Sequence, residues 1–271
     1  LLGNSPATPV VGVRIANSSF EDCARSAIGI QRGVSQLVIT GNTFRCTSCD
    51  QTIDGEATGG GADDNIVITW NTFVDGPGAQ GDYAIALTST SRVAITGNTL
   101  NRGISLYRTA LTAVVGNVID AAPTGPGGLI HVANTCEDLT ISGNTLRRAG
   151  APGPLIRLTP HSGGVCGGVA ITGNTLSQGT PAWAIYAESL SRAVINGNKI
   201  AHTVYAPGFS AIYDKSVVAS APVNALSIAG NVITGEVTYA ITLDASIGGY
   251  GPGVSVSGNV ATGTFFGLRC S

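Results

Sequence analysis

Charged side chains make up only 11% of this 271-residue chain, with 14 lysines and arginines against 16 aspartates and glutamates and a formal net charge of −2. A chain so poor in cations has no basic stripe to set against phosphates, which excludes nucleic acid and an anionic membrane surface as partners. No apolar run reaches eighteen residues, which excludes a transmembrane helix. Histidines number three, and Cys46-Thr47-Ser48-Cys49 is followed by no second pair at metal-ligand spacing, so no zinc site is expected and no cofactor either. Asp63-Asp64 after Gly59-Gly60-Gly61 comes nearest to a calcium loop and reads better as a solvated turn. Methionine is absent and the chain opens on Leu1-Leu2-Gly3-Asn4, from which a mature or excised piece lacking its leader or flanking domains is expected.

What is present is a repeat. Ile39-Thr40-Gly41-Asn42 returns as Ile68-Thr69-Trp70-Asn71, Ile95-Thr96-Gly97-Asn98, Ile141-Ser142-Gly143-Asn144 and Ile171-Thr172-Gly173-Asn174. Weaker copies end at Asn117, Asn198, Asn231 and Asn259, and a degenerate first copy carries Asn17 where the others have Gly. These are ten turns of one motif, spaced by 19 to 33 residues, so the unit is rigid and the connections absorb the variation. Apolar residues five and three before each Asn, and two after it, give a period of two and therefore strands. The Gly-Asn pair suits a corner, because Gly reaches positive φ freely and Asn tolerates it better than most. A further strand precedes each motif, as in Tyr83-Ala84-Ile85-Ala86-Leu87 and Ala184-Ile185-Tyr186-Ala187. Three short strands per coil, stacked over about ten coils with an asparagine ladder at one corner, define an all-β solenoid. It is expected as a single domain over 1–271, irregular over 1–12 and coiled over 13–271. No cap helix is legible at either end, so a missing flanking domain, a homo-oligomer or an irregular loop is expected to cover the open coils.

Cys136 and Cys166 each stand eight residues before a motif Asn, which puts them in one column on adjacent coils. A disulfide and a pair of buried thiols filling that column are equally open readings.

The pattern resembles the right-handed parallel β-helix of the pectate-lyase-like superfamily, over nearly the whole chain from Val13 to Leu268. That resemblance implies a fold and a substrate lying along the strand that precedes each motif. It implies no chemistry directly, since the Asn-Thr-Asp and Gly-His-Gly of the polygalacturonases, an Arg-Ile-Lys, the Asp-Pro-His of the mannuronan epimerases and the acidic calcium cluster of the pectate lyases are all missing.

Alternation turns one side of that first strand to solvent, and the middle of the exposed column is rich in chemistry: Tyr107, His131, Arg157, Tyr186, Glu188, Tyr213 and Lys215, with His161 at a strand end. The column just after the asparagines, from Thr43 and Thr72 to Val232 and Val260, is bland. Residues 150–154, 159–168 and 201–210 are expected to wall the richer face. Tyrosines with a few charges suit sugars, whose C–H faces pack on aromatic rings. For a uronan, Arg157 or Lys215 would neutralise the carboxylate while Tyr186 or His131 serve as base and acid. For a neutral glycan, Glu188 with Asp214 or Asp244 is the available carboxylate pair. Tyr107, Tyr213, His161 and Asp214 are the expected binding residues. Asp214 is odd, because alternation points it inward, where it would need Lys215 or an arginine as partner. The leading expectation is a secreted, periplasmic or particle-surface protein that engages polysaccharide as a lyase or epimerase. The alternatives are a non-catalytic receptor-binding rod such as a tailspike segment and an exported repeat protein that binds protein partners.

Overall fold

A computed structural model describes residues 2, 9–56, 63–76, 79, 81–161, 164–217, 223–245, 247–263 and 266–271. Among them every regular element is a strand and every strand pairing is parallel. The strands after the asparagines form one sheet of ten, from Ser19–Glu21 at one end to Val260–Thr262 at the other, so the chain completes nine turns. At about 4.8 Å per step the column is about 43 Å long. The other two strand segments of each coil share a second, 20-stranded sheet and in two coils run without a break, as Gly103–Val115 and Ile130–Ser142. The chain still bends between them. Arg92, Leu111, Asp138 and Arg192, each one residue before an inward-facing position, hold φ between 49° and 50° and stack this second corner from coil to coil.

The third corner carries the ladder. The main-chain N–H and the Nδ2 of Asn71 both donate to Oδ1 of Asn98, at 2.9 and 3.0 Å, while the same Nδ2 reaches back to the carbonyl of Ile39 at 2.9 Å. The pattern continues from Asn42 to Asn259. In the degenerate first copy Ser18 stands at the ladder position, and its N–H donates to Asn42. Asn17 beside it takes φ 51°, the role that glycine plays elsewhere, as does Trp70 at φ 56°. Inside the ladder, Ile39, Ile68, Ile95, Val114, Ile141, Ile171, Ile195 and Ile228 face one another in strict register, and Phe20, Phe44 and Phe73 stack at 5.0 and 4.8 Å.

Three expectations are corrected, and the open choice between a disulfide and buried thiols is decided. The segment before Val13 is already paired: Val10 lies opposite Val34, and Leu2 bridges in parallel to Ile30. Asp63 is no solvated turn: it opens the strand Asp63–Thr69, is fully buried, and accepts the N–H of Val34 at 2.9 Å, with burial raising its carboxyl to about 6. Cys136 and Cys166 lie in adjacent strands, buried, but as free thiols, and the bonded pair is the local Cys46–Cys49. Asp214 does point inward and is fully buried, so its carboxylate cannot meet a ligand on the outer face. Its partners are neither Lys215 nor an arginine. Oδ1 accepts the N–H of Leu190 at 3.3 Å, and Oδ2 lies 3.1 Å from the hydroxyl of Tyr250. That hydroxyl has one proton and a closer acceptor, the Asp214 carbonyl at 2.8 Å. The second contact is completed when Asp214 itself carries a proton, and burial raises its carboxyl to about 7.

Two predictions follow from these interiors. Asn144→Leu strands at least the N–H of Asn117 and the carbonyl of Val114, so it should lower the stability read by urea unfolding by about 2 to 4 kcal/mol, while Thr145→Ala next to it stays within about 0.5 kcal/mol. Asp214→Asn keeps an acceptor for Leu190 and a donor for Tyr250 without the titration. Because the folded carboxyl binds its proton more tightly than the unfolded one, wild type loses stability as pH rises from about 4 through about 7. The variant should therefore gain on wild type across that window, by up to about 4 kcal/mol, and hold a constant lead above it. Thermal melts of both proteins at matched pH measure the difference, in which the opposite contributions of the half-buried His131 and the buried His202, both pushed down to about 4, cancel.

Candidate functional site

The ladder fixes the register of the first strands, and the register fixes the outer column. Ser105 pairs with His131, His131 with Arg157, Arg157 with Tyr186, Tyr186 with Tyr213, and Tyr213 with Thr242. One alternation step on, Glu188 pairs with Lys215 and Lys215 with Asp244. The side chains expected on this face thus arrive at one-strand intervals, with Asp214 as the inward exception.

The column divides into neighbourhoods. Tyr186 and Tyr213 stack at 5.6 Å with their planes 12° apart. Trp183 packs against both, at 4.9 and 5.5 Å, and edge-on against Phe209 at 4.9 Å. The guanidinium of Arg157 lies over the Tyr186 ring at 5.7 Å, and its Nε is buried with no hydrogen-bond partner. Beside this cluster opens a bay of about 430 Å³. Its walls are Pro126, Pro152, Gly153, Pro154, Pro181 and Ala182, its edge is Trp183, Tyr186 and Phe209, and its one charged lining residue is Arg157. Past Trp183 lies a second, more polar recess of about 210 Å³ that includes Tyr213, Asp244 and Arg269, the last stacked over Tyr239 at 5.3 Å.

Proton inventory follows from the partners. Tyr186 donates its hydroxyl to Glu188 at 2.7 Å and Tyr213 to Asp244 at 2.6 Å, and burial together with those carboxylates raises both phenols. A phenol held so firmly is an acid or a hydrogen-bond donor; it is a poor base. His131 sits between the Tyr83 hydroxyl on Nδ1 at 3.1 Å and Thr159 on Nε2 at 3.4 Å, and burial, helped by Arg157, pushes it down to about 4. It is therefore a neutral imidazole at ordinary pH. Glu188 is the carboxylate on the outer face next to the stack. Glu188 and Asp244 are two strands apart, about 9.5 Å by strand spacing.

The remaining expected residues sit apart from the bay. Tyr107, 39% exposed, accepts Asn134 Nδ2 at 2.8 Å two coils before Arg157. His161 is exposed where its strand ends, its N–H donating to the carbonyl of Asn134. Of the walls expected, residues 150–154 and 201–210 contribute Pro152, Gly153, Pro154 and Phe209 to the bay, while the described residues of 159–168 contribute nothing. Trp183 and the prolines at 126 and 181 were not legible, because they sit in connections without periodicity. The only signal was one of two tryptophans placed three residues before an outward tyrosine.

The fold has relatives among solved structures. The chain is similar to the Streptococcus pneumoniae surface protein and adhesin PfbA, at 10% identity and a TM-score of 0.54, covering 94% of this chain and 92% of that one. It is also similar to the A-module of the Azotobacter vinelandii mannuronan C-5 epimerase AlgE4, at 13% identity and a TM-score of 0.48, covering 98% and 91%. No curated protein matches the chain in sequence. The family model described as the right handed beta helix region matches residues 11–146, half of the chain. The chain belongs to that right-handed β-helix family.

Proposed function

We propose that this protein engages a polysaccharide along its first-strand face, with the ligand seated on the Trp183–Tyr186–Tyr213 platform and an acidic group of the glycan held by Arg157. The observation that carries this reading is the platform itself: three mutually packed rings at the mouth of an open bay that holds one cation and no carboxylate among its lining residues. Aromatic faces bind the C–H surfaces of pyranoses, and the guanidinium of Arg157, the one charged group lining the bay, favours a carboxylate-bearing sugar over a neutral one. In a lyase or epimerase built on these groups, Arg157 and Lys215 neutralise the uronate as the C5 proton leaves. Glu188 is the nearest base, and Tyr186, holding its proton, returns one to the sugar. Glycoside hydrolysis is less favoured, because Glu188 and Asp244 are each engaged by a tyrosine; their spacing excludes a retaining pair and stands at the upper limit of roughly 9.5 Å for an inverting one.

A binding rod without catalysis is the second reading, and the likeness to an adhesin supports it. Surface display or secretion accords with both, and no helix among the described residues is long and apolar enough to cross a membrane.

The test is a panel of polyuronates and neutral glucans, titrated for binding and followed for unsaturated products by ultraviolet absorbance. Arg157→Ala should weaken a polyuronate about 10- to 100-fold and a neutral glucan far less. Trp183→Ala should weaken both, and Thr145→Ala on the bland face neither. A confirmed ligand indifferent to Arg157→Ala and Trp183→Ala would move the site off this face; binding without unsaturated product would select the rod.

A further inference from the structure

Four residues after the ladder asparagine the side chain is buried in seven successive coils: Cys46, Asp75, Arg102, Ala121, Arg148, Gln178 and His202. From Ala121 to His202 they stand in direct register. A polar side chain at such an interior corner must find its partners among the connections that start there. Arg102 finds a carboxylate, Asp75, at 2.8 Å. Arg148, 1% exposed, is different, because the four oxygens it binds are main-chain carbonyls. Nε donates to Ala151 at 3.0 Å, Nη1 to Gly127 at 2.6 Å and Pro154 at 3.2 Å, and Nη2 to Gly125 at 2.6 Å. Directly above it in the column, Gln178 donates from Nε2 to the carbonyls of Gly153 at 2.9 Å and Trp183 at 2.8 Å.

We infer that Arg148 and Gln178 are the positioning residues of the bay: from inside the solenoid they hold its three walls, residues 122–128, 149–154 and 179–183, in place against the aromatic platform. Those three connections supply seven of the ten residues that line the bay. Their four lining prolines have no N–H to donate, so the connections hold themselves poorly and their carbonyls depend on donors from elsewhere. A guanidinium offers five donors in a fixed fork and reaches two walls at once; a lysine offers three and no fork. The amide of Gln178 then ties the second wall to the third, and to Trp183 itself. The walls close tightly on the anchor, since a Cβ on Gly153 would stand 2.5 Å from Nη2 of Arg148 and 2.8 Å from the carbonyl of Pro126. The width of the bay, and with it which ligands enter, is thus set by two side chains that touch none of them.

The test is amide hydrogen exchange on the full chain, peptide by peptide. Arg148→Lys should raise exchange at least tenfold over 122–128 and 149–154 together, and Gln178→Leu should do so over 149–154 and 179–183 while leaving 122–128 as in wild type. The ladder peptide 141–146 should stay protected in both. In a Trp70→Phe background, where Trp183 is the only tryptophan, Gln178→Leu should raise acrylamide quenching. Where a polyuronate or glucan binds wild type, its affinity should fall in both variants although the platform is untouched. Unchanged wall exchange, or loosening that spreads equally to the ladder peptide, overturns the inference. If Arg148→Lys does not fold, Gly153→Ala, which pushes on the guanidinium and on Pro126 from outside, must loosen the first two walls together. A panel in which no glycan binds wild type would sink the polysaccharide reading and leave the exchange result to decide this one.

Discussion

One hydrogen-bonding unit governs the molecule: an asparagine side chain at a corner, accepting two N–H groups from one neighbouring coil and donating to both neighbours. A β-helix has no turn of helix or hairpin to fix its register locally, and a slip of one residue would turn every isoleucine of a coil outward. The ladder removes that freedom at one point in each turn. Because a carboxamide offers both a donor and an acceptor, identical residues satisfy one another through the stack without alternating partners. The apolar column inside and the chemical column outside are both consequences of that pinned register.

The same constraint explains which parts of the structure were legible in the sequence. Wherever a residue lies within a few positions of the motif, counting from the asparagine places it. In the strand that precedes each motif, alternation from an inward isoleucine does the same: it puts Arg157, Tyr186 and Tyr213 on adjacent strands of one face and points Asp214 inward. Counting fails once the chain leaves a strand. The partner of Asp214 is Tyr250, 36 residues on, in a connection whose path no periodicity describes. Trp183 and the proline walls are the same case. Cysteine shows both sides: the column correctly set Cys136 beside Cys166, while the bond formed is the short-range Cys46–Cys49, which depends on the local shape of a corner rather than on the stack.

Charge placement on the outer face has a physical logic of its own. Each outer carboxylate next to the stack is held by a phenol from its own or the preceding strand, and each arginine in this region lies over a tyrosine ring. Such pairs keep the long side chains flat against the sheet and leave ring faces, rather than mobile charges, to meet a partner. The tyrosines pay a chemical penalty for this arrangement: their raised acidity thresholds make them donors. Glu188 is the carboxylate beside the stack, while His131 is half-buried and neutral between Tyr83 and Thr159.

Coil length varies from 19 to 33 residues between ladder positions, and the variation lies in the connections. Loop closure entropy grows only slowly with length, so adding residues there costs little so long as the corner itself stays closed. The shortest coil, from Asn98 to Asn117, passes almost directly from one sheet to the other, and the bay rises over the longer coils that follow it. A long connection on a rigid stack would ordinarily be loose, and a loose wall defines no pocket. At Arg148 and Gln178 the residue that ends the sheet strand is turned inward and polar, so the excursions around the bay begin at their own anchors. The solenoid thereby separates two tasks that compete in most folds: the asparagines hold the scaffold constant, and the column four residues later decides how firmly each added loop is held, and so which of them become part of a site.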